Sequence, residues 1–156
     1  MLKAGQTAPT FELPDADMEV VNLASFRGKQ HVLLYFYPKD NTPGCTLQAT
    51  DFSDHEDAFA RLGYTILGVS RDDCLRHADF RDQHGISVRL LSDTEGSVCH
   101  QYGVWQAREV DGARKFGIVR STFVIDKQGV VRLALYGVNA KGHALEMLRA
   151  VKEFES

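Results

Sequence analysis

What this sequence has little of narrows its function before any motif is read. Its three cysteines are an odd number spread over 156 residues, whereas a disulfide scaffold uses an even, dense set. The thiols therefore raise a question of chemistry rather than stapling. Positive charge is not in excess: 18 Lys and Arg stand against 21 Asp and Glu, a net charge of -3, so nucleic acid is not an expected partner. The longest apolar run, Val32 to Tyr37, falls far short of the roughly 20 residues that span a bilayer, and no membrane is expected. Met1-Leu2-Lys3-Ala4-Gly5-Gln6 lacks the basic start, apolar stretch and cleavage site of a secretory signal, so a cytoplasmic location is expected. Linkers, repeats and low-complexity segments are missing too. What is present, 44% hydrophobic, 25% charged and 10% aromatic residues, is the composition of an average globular domain, and residues 1–156 read as one domain.

The patterning predicts alternating elements. Short extended pieces at Thr10–Leu13 and Val20–Leu23 precede His31–Tyr37, a continuous β-branched and aromatic run that reads as a strand buried on both faces. Pro38 ends it. Thr42-Pro43-Gly44-Cys45 looks like a helix start, with Thr as N-cap and Pro at the first helical position, and the helix is expected to reach Leu62 before Gly63. A second strand, Tyr64–Val69, leads to a helix capped by Asp72 or Asp73 and ended by Gly85. A third strand is expected at Val88–Leu91 and a helix at Thr94–Tyr102. Asp111-Gly112 signals a hairpin, and Ser121–Ile125 and Val130–Leu135 flank a turn as antiparallel strands. Lys141–Phe154 carries apolar residues at helical spacing. This order predicts an α/β fold, a mixed central β-sheet with helices on both faces.

Three effects meet at Cys45. A thiol in a first helical turn lies near unpaired N–H groups and the positive end of the helix dipole, both of which favour thiolate, the nucleophilic form. The turn follows the carboxyl end of a buried strand, where open α/β sheets bind ligands. Thr42 can present its hydroxyl to the sulfur or to an incoming oxygen, and Pro38 offers an apolar wall without an N–H. On these grounds Cys45 is either a reactive thiol or a small buried hydrophobe.

The string Tyr37-Pro38-Lys39-Asp40-Asn41-Thr42-Pro43-Gly44-Cys45-Thr46 resembles the peroxidatic motif of peroxiredoxins, in particular the bacterioferritin comigratory protein or Q-type branch. The likeness extends to Gly5–Phe11, Gly68-Val69-Ser70, Leu91-Ser92-Asp93, Tyr102–Trp105 and Val119–Asp126. It implies a thioredoxin-like fold and a thiol-dependent peroxidase acting on hydrogen peroxide and organic hydroperoxides through a Cys45 sulfenic acid. It makes Cys45 the peroxidatic cysteine, Thr42 a hydrogen-bonding partner of thiolate and peroxide, Pro38 a shield, and Arg120 the fourth catalytic member. A cation near sulfur stabilises thiolate, and its fork of donors can hold both peroxide oxygens.

The chain departs from that family where a resolving cysteine is usual. Five residues after Cys45 stands Thr50, and the position in the next helix falls on Arg81. Cys74, about two helical turns before Arg81, remains a candidate resolver, although bridging requires unwinding the turn after Thr42. Cys99 reads as buried and structural. The expectation is a one-cysteine cycle resolved by an external thiol, the resemblance implying thioredoxin, glutaredoxin or glutathione as reductant and a monomer. The alternatives are a two-cysteine cycle through Cys74 and a non-catalytic binding or redox-sensing module. Gln48 three residues after Cys45 denies it a Cys-x-x-Cys. Cys74 with His77 and Cys99 with His100 fit no closed metal pattern, and surface histidines with buried cysteines are expected there. Gly28-Lys29 lacks a phosphate-binding loop, so neither metal nor cofactor is expected. The polar run Asp51 to Asp57 reads as a solvated helix face, His55 without a role.

Overall fold

The computed structural model describes residues 1–155. Its central sheet has the order β5-β4-β3-β8-β9, built from β3 (His31–Phe36), β4 (Tyr64–Ser70), β5 (Arg89–Ser92), β8 (Ser121–Ile125) and β9 (Val131–Tyr136). β3 pairs in parallel with β4, and β4 with β5, while β8 runs antiparallel to both β3 and β9. The sheet is mixed, as the alternation predicts. Two small antiparallel pairs stand outside it: β1 (Glu12–Pro14) with β2 (Val20–Asn22), and β6 (Trp105–Val110) with β7 (Ala113–Ile118). Asp111 and Gly112 form the β6–β7 turn with φ of 52° and 76°, the left-handed pair that a two-residue hairpin requires.

The apolar run of β3 has a simple cause. Val32, Leu34 and Phe36 enter one core with Phe11, Leu13, Tyr102 and Phe123, while Leu33, Tyr35 and Tyr37 enter a second with Cys45, Phe52, Phe80 and Met147. Because strand side chains alternate, burial on both faces leaves no polar position. The second core is covered by α1 (Pro43–Asp54), α2 (Glu56–Arg61), α3 (Cys74–His84) and α5 (His143–Phe154). The first is covered by α4 (Ser97–Gln101) and the amino-terminal segment. Among the described residues no helix is long and apolar enough to cross a membrane.

Several boundaries differ from the sequence reading. The helix expected from Thr42 to Leu62 breaks at His55, whose φ of -103° and ψ of 3° leave the helical range. Thr46, Thr50 and Ser53 each turn a hydroxyl back onto the carbonyl four residues earlier, and His55 Nδ1 meets Asp51 O at 2.8 Å; such side chains compete with the helix ladder. The polar run around this break is in part half-buried rather than a wholly solvated face. The helix expected over Thr94–Tyr102 shrinks to α4 because Gly96, at φ 79°, closes a turn onto Asp93 first. His77, expected on the surface, is 0% exposed, and Cys74, expected to be buried beside it, is half-buried.

Candidate active site

Parallel pairing brings the carboxyl ends of β3, β4 and β5 to one edge of the sheet, and the chain leaves β3 there through Tyr37–Asn41 into α1. β8 runs the other way, with Ser121 opposite Phe36, so its first residues begin at that same edge. Arg120, immediately before β8, is thereby delivered to the start of α1, 75 residues away in sequence from the sulfur it meets.

Cys45, 1% exposed, lies in the first turn of α1, with Thr42 at the N-cap and Pro43 at the first helical position. Arg120 Nη2 donates to Cys45 Sγ at 3.2 Å. A guanidinium N–H on sulfur stabilises negative charge there and offers further donors beside it. Its other arm, Nη1, donates to Gln48 Oε1 at 2.5 Å. Gln48 is fully buried one helical turn after Cys45, so both face Arg120 from the same side of α1. Gly44 permits the approach: a Cβ there would lie 3.2 Å from Arg120 Nη2.

Thr42 donates its hydroxyl to Lys39 O at 2.9 Å and does not cap α1. The first-turn N–H groups are therefore not taken by a capping side chain, and the Thr42 oxygen keeps lone pairs for an incoming donor. Pro38 is exposed and lines an open cleft with Arg71, Trp105 and Ile118, where the Arg71 guanidinium lies 4.7 Å from the Trp105 ring centre. All three cysteines are free. Cys74 opens α3 after the Asp73 cap. Cys99 belongs to the core on the other face of the sheet from Cys45, and burial, reinforced by Asp93, pushes its thiol far above the ordinary range.

Sequence reasoning gave no role to Gln48 or His143. His143, at the start of α5, meets Thr122 Oγ1 through Nε2 at 2.8 Å and Glu146 through Nδ1 at 3.3 Å. Burial lowers its pKa below 6.5, opposed by Glu146 and reinforced by Arg120. Both residues were visible only as helical positions, one turn after Cys45 and at the amino end of α5.

Comparison with known proteins decides the family. Residues 4–134 match the AhpC/TSA family model. The chain belongs to the AhpC/TSA family. It is 40% identical to Peroxiredoxin Bcp of Bacillus subtilis over 152 residues, 97% of this chain and 96% of that protein. To Peroxiredoxin Bcp of Escherichia coli it is 41% identical, covering 97% of each. Among solved structures, the bacterioferritin comigratory protein of Xanthomonas campestris, described for alkyl peroxide reduction, superimposes with a TM-score of 0.89 at 33% identity, covering 94% of this chain and 92% of that one. A cysteine-to-serine mutant of Xylella fastidiosa PrxQ gives 0.94 at 30% identity, covering 100% and 99%. The fold is the thioredoxin-like fold of peroxiredoxins. The chain is a peroxiredoxin of the Bcp or Q branch, a peroxidase that uses a peroxide substrate and a thiol reductant.

Proposed function

We propose that Cys45 is the sulfur this peroxidase oxidises, in a one-cysteine cycle. The Cys45 thiolate attacks the terminal oxygen of hydrogen peroxide or an organic hydroperoxide. The O–O bond breaks, sulfur keeps one oxygen as sulfenic acid, and the other leaves with a proton as water or alcohol. Arg120 holds the peroxide and stabilises charge moving onto the departing oxygen. The Thr42 hydroxyl oxygen accepts a hydrogen bond from the peroxide O–H, and Pro38 walls the approach. An external thiol, from thioredoxin, glutaredoxin or glutathione, then condenses with the sulfenic acid to a mixed disulfide and water. A second thiol releases Cys45.

The observation that carries this reading is the 3.2 Å contact from Arg120 to Cys45 Sγ at the opening of a helix. Cys99 is disfavoured as a resolver by its place across the sheet. Cys74, half-buried at the start of α3, supports a second reading in which it attacks the Cys45 sulfenic acid after α1 unwinds. A cytoplasmic monomer is the setting we propose.

Intact mass after one equivalent of hydrogen peroxide tests both readings. Gain of one oxygen supports the one-cysteine cycle; loss of two hydrogens supports Cys74. An unchanged mass in the wild type, or unchanged peroxide consumption in Cys45→Ser, rejects the proposal. Arg120→Ala is expected to slow oxidation by about a hundredfold or more.

A further inference from the structure

We infer that His77 is a positioning residue for peroxide reduction: by clamping Asp40, it holds the turn over residues 38–42 that leads directly into the first turn of α1, where Cys45 lies. The inference rests on Cys45 being the oxidised sulfur. His77 is 0% exposed and Asp40 5%. His77 Nε2 lies 3.0 Å from Leu91 O; a carbonyl only accepts, so Nε2 carries a proton and donates. Nδ1 lies 2.6 Å from Asp40 Oδ2, which ties the ring to the carboxyl. The other carboxyl oxygen of Asp40 accepts from Tyr37 Oη at 2.6 Å. The Asp40 main chain is held as well, its N–H donating to Asp72 Oδ2 at 2.8 Å, an oxygen that also accepts from Ser70 Oγ at 2.7 Å.

Asp40 is thus gripped by the ends of β3 and β4 and, through its side chain, by α3. Asn41, the next residue, has φ 63°, a left-handed conformation that asparagine adopts more readily than other non-glycine residues. Its side-chain oxygen meets His84 Nε2 at 3.0 Å. His77 and His84 lie two turns apart on α3 and hold adjacent residues of the turn, from which Thr42 and then Cys45 follow directly. Asp40, Asp72 and His77 also bring possible metal ligands within 4.8 Å of one another. The carboxylate and imidazole atoms that meet there already bond each other, the backbone or Ser70, which makes the group a clamp. Removing one partner strands the other buried without its bond, and the turn loses what fixes it.

The test compares His77→Gln and Asp40→Asn with wild type, all reduced, using two rates read at Cys45 by peptide mass: oxidation by stoichiometric hydrogen peroxide, and alkylation by iodoacetamide. Circular dichroism melting verifies that each variant is folded at the assay temperature. A loosened turn is expected to misplace Thr42 and to free the first turn of α1, in which Cys45 is 1% exposed. Oxidation is therefore expected to slow roughly tenfold or more, and alkylation to accelerate several-fold. A lower melting midpoint with both rates unchanged would mean a merely structural role and would overturn the inference. Slowing of both rates would overturn it too, since the sulfur would not have been uncovered. Asp40→Asn keeps the main-chain bond to Asp72, so it serves if His77→Gln does not fold. Wild type unoxidised at Cys45 would instead defeat the proposed function.

Discussion

Single side chains around the sulfur act through what they hold in place. Gln48 fixes one arm of Arg120 and leaves the other for sulfur. Gln48→Leu preserves bulk but frees the guanidinium, and is expected to slow Cys45 oxidation roughly tenfold with little change in melting midpoint; competition against a reporter peroxidase measures it. Gly44→Ala acts from the other side, since its methyl group would press on Arg120 Nη2 at 3.2 Å, and a severalfold loss is expected in the same assay. The start of α1 at Thr42 and Pro43, and with it the first-turn place of Cys45, was legible because the preference for proline at a first helical position is local; the side-chain cap expected from Thr42 is replaced by its bond to Lys39 O. Gln48 was not: it reads as an ordinary helix residue until Arg120, 72 positions away, arrives beside it. His77 misled for the same reason, its burial compensated by Asp40 and Leu91 on other elements.

Elements were legible where one rule governs them and not where two compete. β3, α3 with its Asp73 cap and Gly85 stop, the β6–β7 turn and α5 follow their signals closely. α1 was overextended because apolar periodicity continues to Leu62 while hydroxyl and imidazole side chains break the ladder at His55. That break serves packing: Ser53 Oγ accepts the N–H of Ser87 at 3.0 Å while donating to Ala49 O, tying the end of α1 to the approach to β5. Ser53→Ala is expected to cost about 1 kcal/mol in urea unfolding and to leave oxidation at Cys45 unchanged. Arg120 shows the opposite limit. Only the resemblance singled it out, because its place depends on the antiparallel register of β8 against β3.

At the scale of the molecule, stability is linked to pH through His143. Its folded pKa is below the ordinary 6.5 because burial disfavours the charged ring, so the unfolded chain binds that proton more readily. Stability from this group is complete above about 6.5 and is lost as pH falls below that value. The urea midpoint is expected to drop between about pH 7 and 5, and to drop less in His143→Gln; equal slopes would remove His143 as the cause. The β3–β8 pairing reaches further, into how the protein is made. Ribosomes deliver Cys45 long before Arg120, and the two meet only when that non-local strand pair closes, a step that comes late wherever distant contacts must form. A nascent or truncated chain ending before β8 therefore carries Cys45 without Arg120 beside it, and under the proposed function recovery of peroxide consumption on refolding is expected to report completion of the sheet rather than growth of helix α1.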